Sequence, residues 1–116
     1  MKQKRLSEAF SVSAQITAAD VDDIVAAGFR TIICNRPDGE EPDQPAFEEI
    51  EAAARKHGLE VRYQPVVSGK IQGEDVNAFC ALLDDLPKPV LAYCRSGTRS
   101  AMLWAMSEGS KQSLPD

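Results

Sequence analysis

The chain has a single histidine, His57. That argues against a His-rich metal site, and a Ser-His-Asp triad would have to rest on this one residue. Cysteine is also scarce. Cys34, Cys80 and Cys94 form no CxxC pair and no metal-like spacing. Their odd number, with no apolar signal core behind the basic stretch Met1 to Leu6, suggests reduced thiols and predicts a cytoplasmic location. No run approaches the 18 apolar residues that a membrane-spanning helix needs. Basic residues number 13 against 18 acidic ones, for a formal net charge of −5. A nucleic-acid or membrane-surface binder would show the opposite balance, so neither partner is expected. No cofactor and no metal is implied.

What is present is ordinary for a globular protein: 43% hydrophobic and 27% charged residues over 116 positions. That length supports one domain and not two. Residues 1–5 and 108–116 look polar and frayed.

The chemistry concentrates in Val90-Leu91-Ala92-Tyr93-Cys94-Arg95-Ser96-Gly97-Thr98-Arg99-Ser100. The pattern is a short apolar strand, a loop from Cys94 to Arg99, and a helix. A Cys between a buried strand and a helix N-terminus meets the partial positive charge of loop N–H groups and of the helix end. Arg95 and Arg99 add full charge. The expectation is a readily ionised nucleophile that meets something anionic. Gly97 lets successive N–H groups converge on one centre. Arg99 can clamp an oxyanion with its fork, and Ser96, Thr98 and Ser100 offer hydroxyls to the thiolate or the leaving group. A purely structural buried Cys would need neither arginine.

Taken in order, residues 6–13 read as an entry strand. Thr17 and Asp20 resemble a capping box before a helix with Val21, Ile24 and Val25 on its apolar face, closed by Gly28. Phe29 to Cys34 reads as a buried parallel strand. Asn35 to Gln44 is a polar loop, and Asp43 or Gln44 should cap the helix that ends at His57-Gly58. Leu59 to Val67 is a further strand and Ser68 to Gln72 a loop. Val76, Phe79, Cys80, Leu83 and Leu86 mark the core face of another helix. The last helix, about 99–107, is apolar nearly all round and should be central and buried. This alternation predicts an α/β fold with a mostly parallel sheet of four to five strands flanked by helices. Ligands gather at the C-terminal strand edge of such sheets, so the loops 35–44, 68–72 and 94–99 should surround one site.

Other residues carry two readings each. Asp38 is either an acid at that edge or part of a Pro-Asp-Gly turn. Arg36 either binds a substrate anion or pairs with Glu40 and Glu41. Lys70 is read as solvent-exposed in preference to anion-binding. Cys34 and Cys80 read as core fillers, with a resolving-thiol role for Cys34 as the rival. Trp104 reads as core, and the acidic runs at 40–43 and 48–51 as solvated faces.

The Cys-loop-helix stretch resembles two families. Tyrosine and dual-specificity phosphatases carry a Cys, five residues and an Arg; rhodanese-type sulfurtransferases carry a Cys, four residues and an Arg. Cys94 to Arg99 has the second spacing. Over residues 5–107, the element order and Asn35-Arg36-Pro37-Asp38-Gly39 resemble the beta-lactamase-hydrolase-like proteins with a phosphatase-like domain. That resemblance implies a tyrosine-phosphatase-like fold with a rhodanese-length loop. It also allows a metallo-hydrolase or sulfur dioxygenase partner or fusion.

Two features bear on the reaction. A loop one residue shorter encloses a smaller cradle, better suited to one sulfane sulfur than to tetrahedral phosphate. Gln64 to Gly69, the region where such phosphatases hold an acidic Asp, has no carboxylate, and Tyr93 replaces their His before the Cys. Loss of a general acid costs about 10²–10⁴-fold for an oxygen leaving group. The expected activity is therefore sulfur transfer through a persulfide on Cys94. The alternatives are a phosphatase working through a phosphocysteine with Asp38 as acid, and a non-catalytic anion- or redox-sensing module. In each case the partner is a small anionic molecule.

Overall fold

A computed structural model describes residues 3–112. Its strands are β1 (Gln3–Ser7), β2 (Phe10–Ser13), β3 (Thr31–Cys34), β4 (Glu60–Tyr63) and β5 (Val90–Tyr93). The helices are α1 (Val21–Ala26), α2 (Phe47–Lys56), α3 (Gly73–Asp85) and α4 (Thr98–Gln112). One sheet runs in the order β1-β2-β5-β3-β4. β2, β5, β3 and β4 are mutually parallel, and β1 is an antiparallel edge. The expected mixed α/β architecture is present.

The parallel strands alternate between two cores. Ile32, Leu91 and Tyr93 face one side, with Val21 and Ile24 of α1 and Ile50 and Ala54 of α2. Ile33, Val90 and Ala92 face the other, with Phe79 and Leu83 of α3 and Leu103 of α4. Every residue of β2, β3 and β5 is buried, as strands covered on both faces must be.

Several boundaries depart from the sequence-based expectation. The single entry strand is a hairpin of β1 and β2, so residues 3–5 are paired and not frayed. The segment capped by Thr17 opens as a 3₁₀ turn (Ala18–Asp20), with the Asp20 carboxylate accepting the Thr17 N–H at 2.8 Å. The N-cap of α2 is Ala46, not Asp43 or Gln44. Gln44 instead accepts the Glu40 N–H with its side-chain oxygen and donates to the Pro37 carbonyl. β4 ends at Tyr63; Val66 returns to the core through its N–H to the Asn35 carbonyl.

α4 corrects two expectations. It continues through Gln112, so the tail expected to fray from 108 is helical as far as the described residues reach. It is also not central. Met102 and Met106 are each 44% exposed, while Leu103 and Ser107 are buried. The helix covers one face of the sheet and leaves its outer methionines to solvent. Trp104 is partly buried and stacks on Phe10. Cys80 is only partly buried and is not a core residue.

Candidate active site

β5 delivers Cys94 to the C-terminal edge of the sheet between β2 and β3. The Tyr93 carbonyl accepts the Asn35 N–H at 2.8 Å, and the Cys94 N–H reaches the Ser13 carbonyl at 3.4 Å. The chain then turns at Gly97, whose φ is +92°. A Cβ there would lie 3.3 Å from the Ser13 carbonyl carbon, so both conformation and space favour glycine. This turn aims the Gly97 N–H at Cys94 Sγ, 3.1 Å away. The first bond of α4 follows at once, from the Ala101 N–H to the Gly97 carbonyl. The sulfur therefore sits at a loop N–H and a helix N-terminus, as expected. Cys94 is 1% exposed.

A cleft of about 460 Å³ opens beside this loop. Arg95, Ser96, Thr98 and Arg99 line it from one side, Glu40 and Glu41 from the loop after β3, and Ser68, Gly69 and Ile71 from the loop after β4. The three loops expected to meet do meet. A second cleft, of about 560 Å³, lies on the other side of Ser96-Gly97-Thr98, between β1 and the Ala101, Met102 and Ala105 face of α4.

The charged side chains form one alternating chain. Arg99 donates from Nη1 to Glu40 Oε2 at 2.7 Å and from Nη2 to Glu40 Oε1 at 2.9 Å. Arg36 Nε donates to the same Oε1 at 2.9 Å. Arg36 Nη2 lies 3.5 Å from Glu41 Oε1, and Arg95 Nη2 is 2.8 Å from that oxygen. The order is Arg99, Glu40, Arg36, Glu41, Arg95, with both ends on the Cys94 loop. Arg36 Nη1 also donates to Gln15 Oε1, and the Gln15 N–H closes back onto the Arg95 carbonyl. Arg99 Nη1 further binds the Val66 carbonyl at 3.0 Å. The Arg99 hydrogen bonds, followed by those of Arg36, hold the Glu40 carboxyl down at about 2. The Arg99 guanidinium is raised in turn, first by Glu40 and also by the neighbouring Cys94.

The residues singled out in the sequence sort as follows. Cys94, Gly97 and Arg99 come together. Arg95 is at the cleft but exposed, with its charge on Glu41. Ser96 donates to the Thr98 hydroxyl at 3.0 Å, so these two hydroxyls sit on the rim. Ser100 is a correction: its buried hydroxyl donates to Asn35 Oδ1 at 2.8 Å, which joins the start of α4 to the end of β3 and commits it away from the sulfur. Arg36 is 4% exposed and pairs with Glu40 and Glu41, so the pairing reading holds and the free anion-binding one does not. Asp38 is corrected as well. Its Oδ1 accepts the Phe47 N–H at 2.9 Å, capping α2, and its own N–H is taken by the Tyr63 hydroxyl. It does not line the cleft. Lys70 is exposed. The Cys34 thiol donates to the Arg36 carbonyl and packs in the core with Tyr93. Burial pushes that thiol up, which disfavours it as a resolving nucleophile.

Sequence reasoning paired Glu40 and Glu41 with Arg36 but missed their contacts with Arg99 and Arg95, and it missed Gln15 and Asn35. The signal for the two glutamates was Arg36 in a loop with two adjacent glutamates, facing two more arginines on the Cys94 loop.

Among the described residues no group of three or more His, Cys, Asp and Glu side chains could hold a metal, and no helix is long and apolar enough to cross a membrane.

Comparison with known proteins places this geometry. Residues 3–111 match the family described as beta-lactamase hydrolase-like protein, phosphatase-like domain. A beta-lactamase hydrolase-like protein of Xylella fastidiosa (strain Temecula1) is 39% identical over 108 residues, which cover 93% of this chain and 25% of that protein. The chain thus spans about a quarter of that relative's length. Among solved structures, a candidate phosphatase from Neisseria meningitidis superposes with a TM-score of 0.87 at 41% identity, covering 97% of this chain and 79% of that one. TpbA of Pseudomonas aeruginosa, solved as a Cys→Ser form in complex with phosphotyrosine, shares the fold at a TM-score of 0.73 and 18% identity, covering 97% and 65%. The architecture is tyrosine-phosphatase-like, and the chain belongs to the family of beta-lactamase hydrolase-like phosphatase-like domains.

Proposed function

We propose that this phosphatase-like domain is a cysteine-dependent enzyme whose Cys94 carries a sulfane sulfur from donor to acceptor. One observation carries the choice of sulfur. Among the described residues lining the cleft, the only carboxylates are Glu40 and Glu41, and both are held in arginine ion pairs. Glu40, at about 2, is ionised at neutral pH and has no proton to give a departing oxygen. Asp38 caps a helix. An alkoxide leaves poorly without an acid, whereas sulfite or a thiolate needs none.

The reaction has two displacements. The Cys94 thiolate attacks the outer sulfur of a donor persulfide such as glutathione persulfide; a new S–S bond forms as the donor S–S bond breaks, and the donor thiolate departs with the electron pair. An acceptor thiolate then attacks the outer sulfur of the Cys94 persulfide, and Cys94 leaves as thiolate. The Gly97 N–H supports the sulfur whenever it is anionic.

Phosphoryl transfer is the rival. The family description and the Neisseria meningitidis relative speak for it more directly than for sulfur. In that reading Cys94 takes the phosphoryl group as a phosphocysteine, and water releases it. Substrates would be confined to good leaving groups such as aryl phosphates.

Parallel assays of sulfur transfer from glutathione persulfide to cyanide and of para-nitrophenyl phosphate hydrolysis separate the two. The expected result is sulfur transfer, with one added sulfur on Cys94 by mass analysis, abolished in Cys94→Ser. Phosphate ester turnover without any persulfide adduct reverses the assignment. The cytoplasmic location belongs to this same reading, since sulfane sulfur chemistry needs reduced thiols.

A further inference from the structure

Three arginines converge on the Cys94 loop, yet none presents an unpaired charge to the cleft. Arg99 is the decisive one. Its two terminal nitrogens grip one carboxylate in parallel, at 2.7 and 2.9 Å, which is the fork geometry an oxyanion ligand would take. The side chains of Arg99 and Arg36 are 8% and 4% exposed, and that of Glu40 is 28% exposed. The clamp is therefore mostly shielded from solvent, where charge counts for more. Glu41 plays the same part for Arg95, at the more exposed end.

We propose that Glu40 is a specificity-determining residue: by occupying the fork of Arg99 it makes the cradle discriminate against dianionic oxyanions and favour a reacting group of low charge. Counted along the chain from Arg99 to Arg95, three cations meet two anions, so the assembly is only singly positive. A dianion must either displace the Glu40 carboxylate or bind beside it against repulsion. A persulfide donor brings at most one negative charge to the reacting centre, whereas a phosphate ester dianion brings two. The inference rests on the reading of the Cys94 loop as the group-transfer site, and it extends that reading from which atom is attacked to why the site selects it.

Sulfate and perchlorate are both tetrahedral and differ in charge, so they isolate the effect. Binding of each is measured by calorimetry to wild type, Glu40→Gln and Glu41→Gln. No turnover is involved, so a failure of the sulfur-transfer reading and a failure of this one are distinguishable. Glu40→Gln should gain roughly tenfold in sulfate affinity and clearly less for perchlorate. Glu41→Gln should shift the ratio the same way by less. A merely structural Glu40, needed to aim Arg99, would instead lose both anions together in the variant. Equal gains, loss of both anions, or sulfate binding tighter to wild type than to Glu40→Gln overturns the proposal. If Glu40→Gln does not fold, an unchanged sulfate-to-perchlorate ratio in Glu41→Gln overturns it too.

Discussion

Arg99 and Glu40 lie 59 residues apart and form a two-pronged ion pair beside the nucleophile. The pair does two things at once. It fixes the guanidinium next to Cys94, and it locks the loop after β3 against the loop after β5. Because Arg36 binds the same carboxylate, the link extends to Glu41 and Arg95. The loop after β3 is thereby part of the site through its charges rather than through a general acid.

Asp38→Asn tests that distinction. The amide oxygen keeps the acceptor that takes the Phe47 N–H but has no carboxyl proton to give. Activity on either class of substrate should stay within about twofold of wild type. Asp38→Ala should lose about 1 kcal/mol of stability from the missing acceptor, seen by urea denaturation. A large fall in turnover for Asp38→Asn, steeper for poorer leaving groups, would restore Asp38 as the acid.

Much of this was legible in the sequence because the signals were local. The run Val90 to Tyr93 and the Gly97 turn follow from burial pattern and backbone freedom alone, and both appear where expected. The N-terminal hairpin was not legible, because Ser7 to Ala9 carry no strong turn dipeptide and the edge strand β1 is mostly exposed. The exposure of Met102 and Met106 was hidden for another reason. Apolar residues all round a helix look buried, yet here only one face meets the sheet. The ion-pair chain joins residues far apart in sequence, and spacing cannot report which glutamate meets which arginine.

Ser100→Ala probes the junction of β3 and α4. The Ser100 hydroxyl is buried and donates to Asn35 Oδ1 at 2.8 Å. Removing it leaves that oxygen without its donor in the interior, which costs about 1–3 kcal/mol. Thermal or urea denaturation should show the loss. Asn35→Ala should cost more, because Asn35 Nδ2 also donates to the Gln64 carbonyl at 3.0 Å, and the double variant less than the sum of the two, because they share one bond.

Gly97→Ala should harm both stability and activity. The left-handed conformation at φ +92° costs a residue with a Cβ about 1–2 kcal/mol, and that Cβ would press on the Ser13 backbone at 3.3 Å. Any relief moves the Gly97 N–H away from Cys94 Sγ. Turnover should therefore fall more than the stability loss alone explains when assayed well below the melting temperature. A variant with unchanged turnover would mean that this N–H does not support the sulfur.

Acid stability reports the Arg99–Glu40 clamp directly. The Glu40 carboxyl drops from an ordinary 4.5 to about 2 in the folded protein, chiefly through Arg99. A depressed carboxyl stabilises the fold above its unfolded value, and that contribution is lost as pH falls from about 4.5 toward 2. Solvent reaches part of the pair, which keeps its net worth to about 1 kcal/mol. Urea denaturation of wild type and Glu40→Gln at about pH 6 and pH 3 isolates it, because the other carboxylates titrate alike in both. Wild type should lose about 1 kcal/mol more than the variant between the two conditions. Equal acid losses would mean that the clamp seen beside Cys94 contributes nothing to the folded state.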